Sequence, residues 1–146
     1  MRCWRRIDVG PLARALAWLT EALEAYEQRD RDPFVRDAAI QRFEYTYELT
    51  HKMLRRALAE REPASAAVNE LSLPDLVRLA HRRGLVRSEW AVWRRFREDR
   101  NATSHTYNPD TADRVFAGLM PFRDEAAYVL MKLTRRQADP DDAEQE

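Results

Sequence analysis

Only three glycines, Gly10, Gly84 and Gly118, occur in 146 residues. Tight hairpin turns need the left-handed backbone that glycine supplies most cheaply. A chain this poor in glycine has little turn chemistry with which to build a sheet. The apolar residues agree. They recur at intervals of three and four, and no stretch alternates as a strand exposed on one face would. The expected fold class is all-α: an up-and-down bundle of about five helices.

The spacing predicts a first helix from Pro11 to about Gln28, with Leu12, Ala15, Leu16, Leu19, Leu23 and Tyr26 as its apolar stripe. "RDRDP" breaks it. Pro33 can open a second and longest helix, expected from about Phe34 to Arg61. Ile40, Phe43, Tyr47, Leu54 and Leu58 face one way along it, flanked by Tyr45, Leu49 and Met53. So wide an apolar surface suits a central helix with two neighbours. "EPASAAVNE" reads as a loop. "PDLVRLAHRRG" reads as a short helix between Pro74 and a stop at Gly84. A fourth helix is expected from a cap at Ser88 through Ser104. A fifth runs from a cap at Asn108 to about Arg136, kinked at Pro121. Residues 1–137 make one domain, and the acidic segment 138–146 is expected to be a disordered tail. Trp90 and Trp93 lie close together on the fourth helix, which leaves two readings open: core packing or a dimer interface.

Composition narrows the function. Cys3 is the only cysteine, so no internal disulfide can form, which fits a reducing cytoplasm. No apolar run reaches the ~18 residues of a membrane span. The start loosely resembles a signal peptide, but Arg14 interrupts its apolar part, and it is expected to be the mature N-terminus. Net charge is zero, yet five of the 25 acids lie in the last eight residues, which leaves 20 acids against 25 bases before them. Residues 78–100 hold eight arginines against Glu89, Glu98 and Asp99. Such a patch is either a solvated helix surface or a surface for nucleic acid or an acidic partner. Three isolated glycines exclude a P-loop and a dinucleotide fingerprint. Three scattered histidines and one cysteine argue against a structural zinc site, so neither metal nor cofactor is expected.

"EDRNATSHTYNPD", residues 98–110, concentrates the reactive side chains. Trp93, Phe96, Arg100 and Ser104 fall on one helical stripe, so Arg100 extends an apolar row. Asn101 and His105 share the adjacent face. An ideal α-helix separates Arg100 from His105 by roughly 140°. For both to meet one phosphate, the helix must loosen near Thr103, or two copies must face each other. Imidazole ordinarily titrates near neutrality and suits general acid or base work. A guanidinium suits phosphoryl oxygens, Asn101 can orient the imidazole or donate to phosphate, and Tyr107 can stack on a base or hydrogen-bond a phosphate. The competing reading is a helix terminus in which His105 favours the dipole and Arg100 pairs with an acid.

Arg100-Asn101-x-x-x-His105-x-Tyr107 resembles the R-x4-H-x-Y signature of HEPN-domain proteins, including HepT-like toxins. "IQRFEYTYELTHKMLRRAL", residues 40–58, resembles the corresponding helix of the nucleotidyltransferase substrate-binding protein family, a branch of that superfamily. "LPDLVRLAHRRGLV", a tryptophan and "DRNATSHTYN" follow in the family's order, so the resemblance covers roughly residues 10–135. It implies a helical bundle that forms a homodimer, bringing two motifs into one cleft. It also implies an RNA substrate cut without metal by Arg100, Asn101 and His105, with Asp99 and Ser104 supporting. The implied partner is a minimal nucleotidyltransferase acting as antitoxin, able to transfer AMP to Tyr107. An alternative is a non-catalytic substrate-binding subunit of a two-component nucleotidyltransferase. One departure is His51, where the family often has tryptophan; it is expected to pack. Glu44 and Glu48 are expected to pair with arginines of the fourth helix.

Overall fold

In the computed structural model residues 7–138 are described. The first six residues, with Cys3, and the acidic stretch 139–146 lie outside them, and with them the expected disorder of the tail. Seven α-helical segments and one 3₁₀ turn make up the described residues, with no strand among them. The helices are α1 (Gly10–Gln28), α2 (Pro33–Arg61), α3 (Ser65–Glu70), α4 (Leu73–Arg82), α5 (Trp90–Ala102), α6 (Pro109–Ala117) and α7 (Leu119–Ala138). The 3₁₀ turn, Thr103–His105, follows α5 directly.

α2 is the central column, and α1 and α3–α7 all contact it. Its apolar positions explain why: Ile40, Phe43, Tyr47, Leu54 and Leu58 are all at least 96% buried. From α1, the expected stripe Leu12, Ala15, Leu16, Leu19 and Leu23 is buried. Tyr26 is half-buried and stacks on Phe116, ring centroids 4.3 Å apart. Phe122 of α7 is the hub of the core. Its ring lies edge-on to Phe43, Phe96 and Trp93 at 5.0, 5.3 and 6.4 Å, so it ties α2, α5 and α7 together. Fully burying one such ring contributes about 1.5–3 kcal/mol. Trp93, 1% exposed, is therefore core.

Capping chemistry fixes the element ends. Asp32 accepts from Phe34 N at 2.8 Å and Asn108 from Asp110 N at 2.9 Å. Gly84 adopts φ +74 after α4, so that Leu85 N reaches Ala80 O and Gly84 N reaches His81 O. The α1–α2 turn puts two non-glycine residues, Asp30 and Arg31, in the left-handed region.

Three boundaries differ from the sequence expectation. The "loop" 62–70 contains α3. Six residues cannot hold a helix alone, but Val68 is buried and Arg55 Nη1 donates to the carbonyls of Val68, Asn69 and Leu71 at 2.9, 3.3 and 2.9 Å. Ser88 does not cap α5. The N-cap is Glu89, while the amides of Arg87 and Ser88 are taken by Oε2 of the buried Glu125 at 2.7 and 3.2 Å. The expected fifth helix is two, divided at Gly118 rather than kinked at Pro121. Pro121 falls in the first turn of α7, where a missing N–H costs nothing.

Candidate functional site

The candidate site is built from the way α5 ends. Thr103 is buried, and its hydroxyl donates to the carbonyl of Arg100 at 2.7 Å. That bond satisfies a helix-terminal acceptor within the segment and favours the tighter winding that follows. Thr106 Oγ1 then donates to Thr103 O at 3.1 Å, and Asn108 N donates to His105 O at 3.2 Å. His105, Thr106 and Tyr107 thus sit between the end of α5 and the cap of α6.

Arg100 is held from two sides. Its Nε lies 3.3 Å from Oε1 of Glu48 on α2, and its Nη1 donates to Thr103 Oγ1 at 3.3 Å. The Glu48 contact is an ion pair without hydrogen-bond alignment, since Nε is buried and makes no hydrogen bond. One expected acid, Glu48, does find an arginine of this helix; Glu44 takes none among the described residues. Tyr47 lies beside the pair. Burial pushes its phenol up to about 12; Glu48 adds to this, and the cations Arg97 and Arg100 oppose it.

The remaining motif residues face water. Asn101, Ser104 and His105 are exposed, and Tyr107 is 83% exposed. Ser104 Oγ donates to Asn101 O at 3.3 Å, which leaves the Asn101 amide group free among the described residues. The rings of His105 and Tyr107 stand edge to face, centroids 6.0 Å apart. Asp99 goes elsewhere. It is 5% exposed and faces Gly118 at the α6–α7 junction, with Arg95 Nε 3.7 Å from Oδ2. Burial pushes its carboxyl up to about 6, against the pull of Arg95 and Arg114.

The helix does not loosen near Thr103 but tightens. A 3₁₀ turn advances about 120° per residue against roughly 100° in an α-helix, so ideal winding sets Arg100 and His105 about 160° apart. This agrees with their surroundings, Arg100 half-buried against α2 and His105 in solvent.

Sequence reasoning missed Thr103, whose hydroxyl holds both ends of Arg100, and the role of Gly118. A Cβ at Gly118 would overlap the Asp99 carboxylate. Gly118 has an ordinary right-handed backbone, so space is the requirement there. His51, expected to pack, is half-buried and also polar in its role. Its Nε2 lies 3.2 Å from Arg55 Nη2 and accepts from it, which helps aim the guanidinium that caps α3. Burial and the Arg55 charge hold its imidazole below the ordinary value, with Glu48 pulling the other way. Among the described residues no three His, Cys, Asp or Glu side chains gather as metal ligands would, and no helix is long and apolar enough to cross a membrane.

The chain is similar to known proteins in sequence and in fold. A family model described as nucleotidyltransferase substrate binding protein like matches residues 7–135. A Haemophilus influenzae protein named probable ribonuclease HepT is 36% identical over 98 residues, which span 67% of this chain and 66% of that protein. The chain thus spans about two thirds of that relative's length. A solved Haemophilus influenzae structure, described as the fold of a substrate binding domain of a nucleotidyltransferase, superposes with TM-score 0.81 at 30% identity. It covers 87% of this chain and 99% of its own. A Thermus thermophilus structure superposes with TM-score 0.67 at 35% identity, covering 84% and 98%.

Proposed function

The chain belongs to the nucleotidyltransferase substrate binding protein like family, and from that premise we propose that it is a HEPN-type toxin, an endoribonuclease that needs no metal. The observation that carries this reading is the divided character of the motif. Arg100 is tethered by Glu48 and Thr103, while Asn101, His105 and Tyr107 stand free at a solvent-exposed helix end. A structural terminus would spend these groups on its own caps. Here Thr106, Asn108 and the main chain do the capping.

The chemistry is transfer within the RNA. The 2′-oxygen attacks the adjacent phosphorus, a P–O2′ bond forms, the P–O5′ bond breaks, and a 2′,3′-cyclic phosphate and a 5′-hydroxyl result. His105 moves the proton, as base toward the 2′-hydroxyl or as acid toward the departing 5′-oxygen. Arg100 neutralises charge on the non-bridging oxygens. Asn101 orients the imidazole or donates to the phosphate. Since winding sends Arg100 and His105 to nearly opposite sides of one chain, a homodimer that pairs Arg100 of one copy with His105 of the other is the arrangement that completes the site.

The partner in this reading is a minimal nucleotidyltransferase antitoxin. It joins the α-phosphorus of ATP to Tyr107 Oη with release of pyrophosphate, and the exposure of Tyr107 suits such a modification. Intact mass after co-expression with an adjacent active nucleotidyltransferase should show added AMP, lost in Tyr107→Phe. A second reading, a non-catalytic subunit that presents substrate to the nucleotidyltransferase, is favoured by the family description and the Haemophilus influenzae fold. The deciding experiment incubates unmodified protein with RNA in EDTA, beside His105→Ala. Cleavage by the wild type alone supports the ribonuclease. A stable nucleotidyltransferase complex with no cleavage by either protein supports the subunit.

A further inference from the structure

The arginines of residues 78–100 are not equivalent. Arg78, Arg83, Arg94, Arg95 and Arg100 each lie within 3.7 Å of a carboxylate oxygen, from Asp75, Glu62, Glu98, Asp99 and Glu48. Arg82, Arg87 and Arg97 have no acid at salt-bridge distance among the described residues. Arg97 belongs to the same flank of α5 as Asn101, one turn before it, and its charge reaches Tyr47 beside Arg100. Two turns further back on that flank, Trp90 is half-buried at the wall of a groove of about 970 Å³. Val68, Leu71 and Leu79 line the groove's apolar part, and Arg82 lines it together with the carboxylates Glu62, Asp75 and Glu89.

From Arg100 to Trp90 the helix rises about 15 Å. Along that distance the surface offers Arg97, which has no ion-pair partner among the described residues, and an aromatic face beside an apolar hollow; a second cation, Arg82, lines the hollow from the end of α4, where its charge also acts on Glu62. Phosphates need the cations, and unpaired bases need a π face.

We propose that this flank, from Asn101 through Arg97 to Trp90 and Arg82, is a binding track for the single-stranded RNA next to the cleaved phosphate, with a base seated against Trp90. The inference rests on the ribonuclease reading and deepens it. Arg97 and Arg82 neutralise backbone phosphates, so the track tolerates many sequences. The Trp90 hollow takes one base by stacking and burial. Only single strands fit, because a paired base presents no free face.

The test compares fluorescein-labelled RNAs, a trinucleotide and an unstructured twelve-residue oligomer, binding to full-length His105→Ala protein by anisotropy across a salt series. It runs beside cleavage kinetics of the wild type. The longer RNA should bind more tightly, by roughly ten-fold or more from one stacked base and two phosphate contacts. Arg82→Ala with Arg97→Ala, both at exposed positions, should erase that advantage and flatten the salt slope by about 1.4, at ~0.7 per phosphate contact on a single strand. Trp90→Phe should keep part of it and Trp90→Leu should lose it. A double arginine variant with unchanged affinity and slope overturns the track while leaving the ribonuclease standing. If that variant binds RNA normally but no longer co-elutes with its nucleotidyltransferase, the surface belongs to that protein and the proposal fails. If the wild type neither cleaves nor binds RNA, both the track and the ribonuclease reading fall.

Discussion

Asp99→Asn should make this protein more stable at neutral pH, although it removes one member of an ion pair. Asp99 is 5% exposed, and its carboxyl is displaced from 3.8 to about 6, burial being the largest cause. The folded state therefore holds the proton more tightly than the unfolded chain does. For an acid with a raised folded value, the favourable contribution is present at low pH. It fades as pH rises from about 4 to about 6, and above that the ionised group is a standing cost. A displacement of about two pH units, at ~1.36 kcal/mol each, bounds that cost at ~3 kcal/mol. The neighbouring Arg95 side chain is 55% exposed, so water lies close to the carboxylate and relieves part of the burial penalty, and a cost of about 1–2 kcal/mol is expected. Asparagine keeps the shape and removes the charge. Thermal unfolding at pH 7.5 should rise by ~3–6 °C in Asp99→Asn, the gain should vanish near pH 4, and the stability curve between should flatten. A variant less stable than wild type at pH 7.5, with an unchanged pH profile, would refute the argument. It would mean that the Arg95 and Arg114 charges outweigh burial.

Three further outcomes follow from the same geometry. Gly118→Ala should cost about 1–3 kcal/mol through overlap with Asp99, and a second change, Asp99→Ala, should recover most of it in a double-mutant cycle; independent effects would show that the two do not touch. Glu48→Gln removes the charge that tethers Arg100 from a pair whose side chains are 45% and 32% exposed, so the melting point should barely move. If the protein is the proposed ribonuclease, RNA cleavage should nonetheless fall roughly ten- to hundred-fold from lost positioning, and unchanged kinetics would remove Glu48 from the site. Arg55→Ala strips three carbonyls at α3 of their donor, so amide exchange across Ser65–Leu71 should quicken and the His51 imidazole should titrate at higher pH by NMR; no change in exchange would mean that Val68 alone holds α3.

Much of the fold was legible because helices are local. The stripes of α1 and α2, the cap at Asn108 and the stop at Gly84 depend on residues within a turn or two of each other, and each lies where the spacing put it. The misread boundaries share a different cause. α3 exists because Arg55, ten residues before its start, supplies donors for its carbonyls. The break at Gly118 reflects the bulk of Asp99, nineteen positions away in a different helix. Ser88 lost its expected role to Glu125 of α7, whose carboxylate takes the amides of Arg87 and Ser88.

The candidate site divides along the same line. Arg100, Asn101, His105 and Tyr107 could be picked out together because their spacing is a property of the chain, and so was the presence of an acid one face away on α2. What tertiary structure alone decided is what each of them faces. It turned Arg100 inward onto Glu48 and Thr103, sent Asp99 to the opposite junction, and left His105 and Tyr107 in solvent. The physical reason is that sequence periodicity gives the angle at which a side chain leaves its own helix. The neighbour that receives it, and hence its burial and charge, comes only from packing one helix against another.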